Sequence, residues 1–187
     1  MARVHSFGND LEWALSPFYD AFCHEAYATM FPGQIVSWKP SPAGLAGQRL
    51  GIDRQLRFRD RRRVFVEEKV RKPDCKFTSD VLLEYLSNDV TGAPGWIERD
   101  LACDLFLYGW AYSGECILWE WPVLKNAWDT HCENWRLNYR PLEARNDGYS
   151  TWSIAVPRPE LARTAPAHRT ARINLEVLPM GGQGVSQ

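Results

Sequence analysis

Apolar residues recur at helical spacing from early in the chain. Leu11, Leu15, Phe18, Phe22, Ala26 and Met30 fall on one face of a predicted helix over residues 9–31, capped by Asn9 or Asp10. Ser16-Pro17 lies inside that run and should divide it into two helices, because Pro suits a first turn and not an interior. Phe31-Pro32-Gly33 stops it. Residues 32–47, rich in Pro, Gly, Ser and Ala, read as a connector with a short strand around Gln34–Trp38. The period then changes from helical to alternating. Residues 50–59 and 63–71 predict a hairpin turning at Asp60-Arg61-Arg62. Val81–Ser87 is apolar enough to predict a central strand, and Thr91–Gly95 a turn. Trp96–Cys103 predicts a short helix, Asp104–Trp110 and Cys116–Trp121 a second hairpin, and the residues from Pro122 to Trp135 a helix. Ser150–Val156 is a last strand and Pro159–Thr164 a helical turn. This order predicts one α/β domain over residues 1–180 with a mixed sheet, and a mobile tail over 181–187.

Composition changes the picture in one place. The 187 residues carry a formal charge of −1, which discourages a nucleic-acid partner. Residues 49–76, however, hold eleven of the 22 Lys and Arg against five acids, so this segment is +6 and the remainder −7. Local concentration of charge, more than net charge, makes a footprint for phosphates. The other reading is a solvated basic edge that deters aggregation. Nine Trp predict a well-packed body, with Trp96, Trp110, Trp119, Trp121 and Trp128 in cores or interfaces. Five scattered Cys and four His form no ligand spacing, so structural zinc is not expected. Met1–Gly8 lacks the apolar stretch of a signal peptide and no run is long enough to span a bilayer, which predicts a cytoplasmic protein without a membrane partner.

Parity along the hairpin separates two faces. Even positions Ile52, Leu56, Phe58, Val64, Val66 and Val70 are apolar, interrupted by Arg54 and Glu68. Odd positions carry Asp53, Gln55, Arg57, Arg59, Arg63, Phe65, Glu67, Lys69 and Arg71. With the turn centred on Arg61, partner numbers sum to 122, so Lys69 lies opposite Asp53 and Glu67 opposite Gln55. Two carboxylates and a lysine on one face suit phosphodiester hydrolysis. The carboxylates can hold a hard cation that retains several waters, and the ammonium can orient a water or stabilise charge on phosphate. The Glu68 carbonyl is a further candidate oxygen ligand.

Asp53 followed 14 residues later by Glu67-x-Lys69 resembles the PD-(D/E)XK nuclease superfamily, with Gly51-Ile52 where the nominal Pro precedes the Asp. Gly51-Ile52-Asp53 and Glu68-Lys69-x-Arg71 look closest to Holliday-junction-resolvase-like and phage or restriction-type members. The resemblance covers the layout of residues 9–135. It implies a restriction-endonuclease-like core, a mixed central sheet flanked by helices, with VLLEYLS as the strand after the motif. It further implies a Mg²⁺-dependent deoxyribonuclease, Mn²⁺ substituting, with Asp53, Glu67 and Lys69 catalytic. Asp53, Glu67, Glu68 and a first-helix acid, Glu12 ahead of Asp10, would hold the metal. Arg57, Arg59, Arg63, Arg71 and Lys72 would contact DNA, and Glu84 would stand behind the site. A homodimer would let two sites address two strands, in recombination, repair or phage DNA processing. The contrasting expectation is a catalytically silent binding protein on the same scaffold, an inhibitor or DNA-binding subunit.

Overall fold

The computed structural model describes residues 7–41, 47, 50–74 and 79–179. The expected mobile tail, Cys75 and Lys76 lie outside these residues. Helices α1 (Phe7–Ala14) and α2 (Pro17–Met30) meet at Ser16. The Ser16 hydroxyl accepts the Tyr19 N–H at 3.2 Å and Pro17 takes the first helical position, so the two residues that end one helix start the next. Tyr19, Phe22, Cys23, Ala26, Tyr27 and Met30 form the buried face of α2.

Strands β1 (Ile35–Pro40), β2 (Arg54–Phe58), β3 (Arg63–Arg71), β6 (Leu105–Trp110), β7 (Glu115–Glu120) and β10 (His168–Arg172) make a six-stranded sheet in the order β1-β2-β3-β6-β7-β10. It is mixed, because β3 and β6 run parallel and the other neighbours antiparallel. A four-stranded antiparallel sheet, β5-β4-β9-β8, contains β4 (Val81–Asn88), β5 (Ala93–Pro94), β8 (Pro141–Arg145) and β9 (Ser150–Val156). Helices α3 (Trp121–Asn138) and α4 (Arg158–Thr164) complete the described chain. No helix among the described residues is long and apolar enough to cross a membrane.

The six-stranded sheet separates two cores. On one face α2 packs Phe22, Tyr27 and Met30 onto Leu56, Val66, Val70, Leu107 and Leu118. Gly109 permits this approach: a β-carbon there would stand 2.5 Å from the Phe22 ring. On the other face Phe106, Tyr108, Trp110, Ile117 and Trp119 meet α3 and the second sheet through Trp128, Trp135, Val81, Leu83, Ile154 and Val156. All five tryptophans expected in the interior are buried.

Three expectations fail for physical reasons. The run Val81–Ser87 does not lie beside the hairpin; it forms β4 of the second sheet, and β6 takes the place next to β3. Only Val81 and Leu83 of β4 are fully buried, whereas a strand beside a parallel neighbour in mid-sheet is covered on both faces. Trp96–Cys103 is helical only as a 3₁₀ turn over Trp96–Glu98, because the following residues run extended under Gly51 and Leu50, with the Ala102 N–H donating to the Leu50 carbonyl. The hairpin register sums to 120, with Arg54 opposite Val66 and Arg57 opposite Arg63. Arg61 adopts φ 71°, and Phe58 and Arg62 close a three-residue loop around Asp60. Each partner therefore moves by two residues, which preserves the faces and changes the neighbours. Strands β8 and β10 gave no apolar alternation to find, being polar strands at sheet edges.

Candidate functional site

Asp53 enters β2 from a backbone that favours glycine. Gly51 has φ 69°, and a β-carbon on it would stand 2.7 Å from the Leu101 side chain. The Asp53 N–H then donates to the Val66 carbonyl, and the Asp53 carbonyl accepts the Ser41 N–H, both at 2.9 Å. One more step along the observed register sets Asp53 across from Glu67, not from Lys69 as expected. Its Oδ2 accepts the Glu68 N–H at 2.9 Å. The side chain is thus aimed at β3 by backbone bonds from both neighbouring strands.

Glu67 and Lys69 project from the same face of β3 as Phe106 and Tyr108 do from β6. Lys69 Nζ stands 2.7 Å from Glu67 Oε1, with the lysine side chain 41% exposed and the glutamate 6%. Glu67 Oε2 is buried and has no hydrogen-bond partner among the described residues. Burial pushes the Glu67 carboxyl up to about 7; Lys69 opposes that shift and Asp53 adds to it. Burial works against the Lys69 ammonium, but Glu67, Asp53 and Glu84 outweigh it and hold the lysine charged. Glu84 reaches Lys69's surroundings from β4 of the second sheet. Its own carboxyl is raised by burial and lowered by Lys69.

Glu68 points the other way. Its Oε1 accepts from the Tyr27 hydroxyl and from Arg54 Nε, each at 2.6 Å, and Oε2 accepts from Arg54 Nη2 at 3.3 Å. Arg54 Nη1 continues to Asp20 at 2.7 Å. The Glu68 carboxylate is therefore committed to the α2 core and is not a metal ligand. Its carbonyl shares the strand edge of its N–H, and so faces the Asp53 side. Glu12 is exposed on α1; no contact among the described residues joins it to Asp53 or Glu67. The α1 residue that reaches β3 is Trp13, whose indole donates to the Val70 carbonyl at 2.8 Å. The Asp10 side chain lies outside the described residues.

The basic residues divide as well. Arg57 and Arg63 are exposed on the face of Asp53 and Glu67, whereas Arg59 donates to the Gly33 carbonyl. Arg71 and Lys72 are half-buried and make contacts of their own. An open groove of about 840 Å³ borders Arg62, Arg63, Asp104, Glu120 and Arg169. Asp53, Glu67 and Lys69 are not among the residues that line it. The residues missed from sequence are Tyr27, Asp20 and Arg54. A signal for the last existed: Arg54 and Glu68 are the two opposite charges that interrupt the apolar face, and each is the other's partner.

Among the described residues, no cluster of three or more His, Cys, Asp or Glu is placed to hold a metal ion. The donors that do come together are the carboxylates of Asp53 and Glu67, one Glu67 oxygen being buried and unpartnered. That set suits Mg²⁺, which is commonly held by one or two carboxylates while keeping several waters. No family model matches the chain, and neither a curated protein nor a solved structure does.

Proposed function

We propose that the chain is a Mg²⁺-dependent phosphodiesterase acting on DNA, with Asp53, Glu67 and Lys69 as its catalytic residues on a restriction-endonuclease-like core. The observation that carries this reading is the buried Glu67 carboxyl set against the Asp53 carboxyl and a charged lysine, with its Oε2 accepting from no donor. A buried carboxylate oxygen without a partner is costly in a structural role; as a ligand it is in place. Asp53, Glu67 and the Glu68 carbonyl would hold the ion, which supplies Lewis acidity and a bound water of lowered pKa. Asp53 is kept in position by the Glu68 N–H. Lys69, always protonated here, orients the attacking water and stabilises charge developing on the phosphate. Glu67 must give up its proton to serve as ligand, and Lys69 favours that state.

Cleavage of duplex, single-stranded and branched DNA with Mg²⁺ or Mn²⁺ tests the reading, with Asp53→Ala and Lys69→Ala as controls. Activity that needs the ion and disappears in both variants is expected. Metal-independent DNA binding without cleavage of any substrate sinks it. That outcome would favour a silent binding protein on the same scaffold.

A further inference from the structure

The hairpin tip is more basic than its fold requires. Arg57 and Arg63 face each other directly across β2 and β3, both exposed, and like charges placed opposite one another weaken a ladder. Arg61 sits at φ 71°, in the left-handed region where Gly or Asn is the ordinary occupant. The chain gives up stability at two points to keep three cations at one end of a hairpin. Two neighbours fall outside the set. Arg59 is bound to the Gly33 carbonyl, and Arg62 is paired with Asp60 at 2.6 Å and lies over the Phe58 ring. Arg57, Arg61 and Arg63 have no ion-pair partner among the described residues.

We propose that Arg57, Arg61 and Arg63 form a grip for the backbone of duplex DNA, set at a fixed distance from Asp53 and Glu67. The scissile position in this proposal rests on the function proposed above; the grip itself does not. Arg57 and Arg63 project on the same face as Asp53 and Glu67, four residues along each strand. At about 3.3 Å per residue that is about 13 Å, and Arg61, six residues from Glu67, lies at most roughly 20 Å away. Successive phosphates of one strand are about 3.4 Å apart along a duplex. The grip therefore takes phosphates about four to six base pairs to one side of the cut. The footprint includes Arg61, which carries a backbone cost, and leaves out Arg59, whose guanidinium is in use.

The test measures binding of a labelled duplex of about 24 base pairs in EDTA, so that no cleavage intervenes. The intact chain is compared with the combined variant Arg57→Gln, Arg61→Gly and Arg63→Gln. The slope of log affinity against log salt should become shallower by about 2.7, at about 0.9 per phosphate contact. Thermal stability should not fall, because Gly suits φ 71° and the opposed charges are gone. An unchanged salt slope overturns the grip. So does failure of the intact chain to bind duplex DNA while it binds an acidic polypeptide, which would mark a protein partner. Failure of the nuclease reading looks different: no cleavage of any substrate, with the slope still reduced by the variant, leaves the grip standing.

Discussion

The two faces of one hairpin bury carboxylates in opposite ways. On the α2 face, Glu68 has both oxygens occupied by Arg54 and Tyr27, and Arg54 Nη1 donates to Asp20. On the other face, one residue away, Glu67 has one oxygen on Lys69 and the other buried with nothing to accept from. Their environments differ in what offsets desolvation. Burial raises both carboxyls and Asp53 adds to both; at Glu68 an arginine and a hydroxyl oppose the rise, at Glu67 a lysine. The satisfied buried charge is accounted for by the architecture; the unsatisfied one is not, and that is the ground for the function proposed for Glu67.

The largest effect should come from breaking the satisfied side. Glu68→Ala leaves Arg54 buried without its partner and should destabilise the chain by about 3–5 kcal/mol, read as the shift in a denaturant midpoint. Arg54→Met with Glu68→Leu, which removes both charges, should recover most of that loss. If Glu68→Ala unfolds no more easily than the wild type, the network is not what fixes β3 on α2. Next is Glu67→Gln. Activity should fall at least about hundredfold, roughly 2.7 kcal/mol in the barrier, while stability changes by less than about 1 kcal/mol, since an amide no longer bears the burial cost of a charge. Loss of stability comparable to Glu68→Ala would erase the contrast between the faces.

Much of this was legible because parity survives errors of register. The sequence assigned Asp53, Glu67 and Lys69 to one face, and the shift from 122 to 120 moved partners by two, so that assignment stood while Lys69 lost its place opposite Asp53 to Glu67. The shift arose at Arg61, whose left-handed backbone nothing in its side chain announces. The Arg54–Glu68 pair could be read only by asking why two charges interrupt an apolar stripe. The helix that contributes Tyr27 and Asp20 to it depends on docking that no local pattern encodes. The placement of β4 in a second sheet was hidden for a related reason. VLLEYLS has the composition of a central strand, and only its partners show that one face is half open.

A smaller effect tests how closely the α2 face is packed. Gly109→Ala would place a β-carbon 2.5 Å from Phe22 Cε1 and 3.3 Å from Val70 Cγ1. The ring cannot recede without disturbing α2, so a loss of about 1–3 kcal/mol in thermal unfolding is expected, with activity per folded molecule unchanged. A neutral substitution would mean that the helix can slide, and with it the anchor behind the site.

The smallest effect is graded by pH and belongs to Glu67 alone. Its carboxyl titrates near about 7 in the folded chain, above the ordinary glutamate range. Between the ordinary range and about 7 the folded state holds a proton that the unfolded state has released. This contribution to stability is therefore fully present in acid, declines as pH rises, and is gone above about 7. If Glu67 holds Mg²⁺ as proposed, the metal reverses the sign, because only the ionised carboxylate is a ligand. Below about pH 7 each bound Mg²⁺ must expel a proton, so apparent affinity should rise by up to about tenfold per pH unit, roughly 1.4 kcal/mol, and level off beyond. Mg²⁺-induced increases in melting temperature, measured from about pH 5.5 to 8, should follow that curve in the wild type and vanish in Glu67→Gln. An equal increase at every pH in both proteins would place the ion elsewhere, and the two faces of the hairpin would then differ in packing but not in purpose.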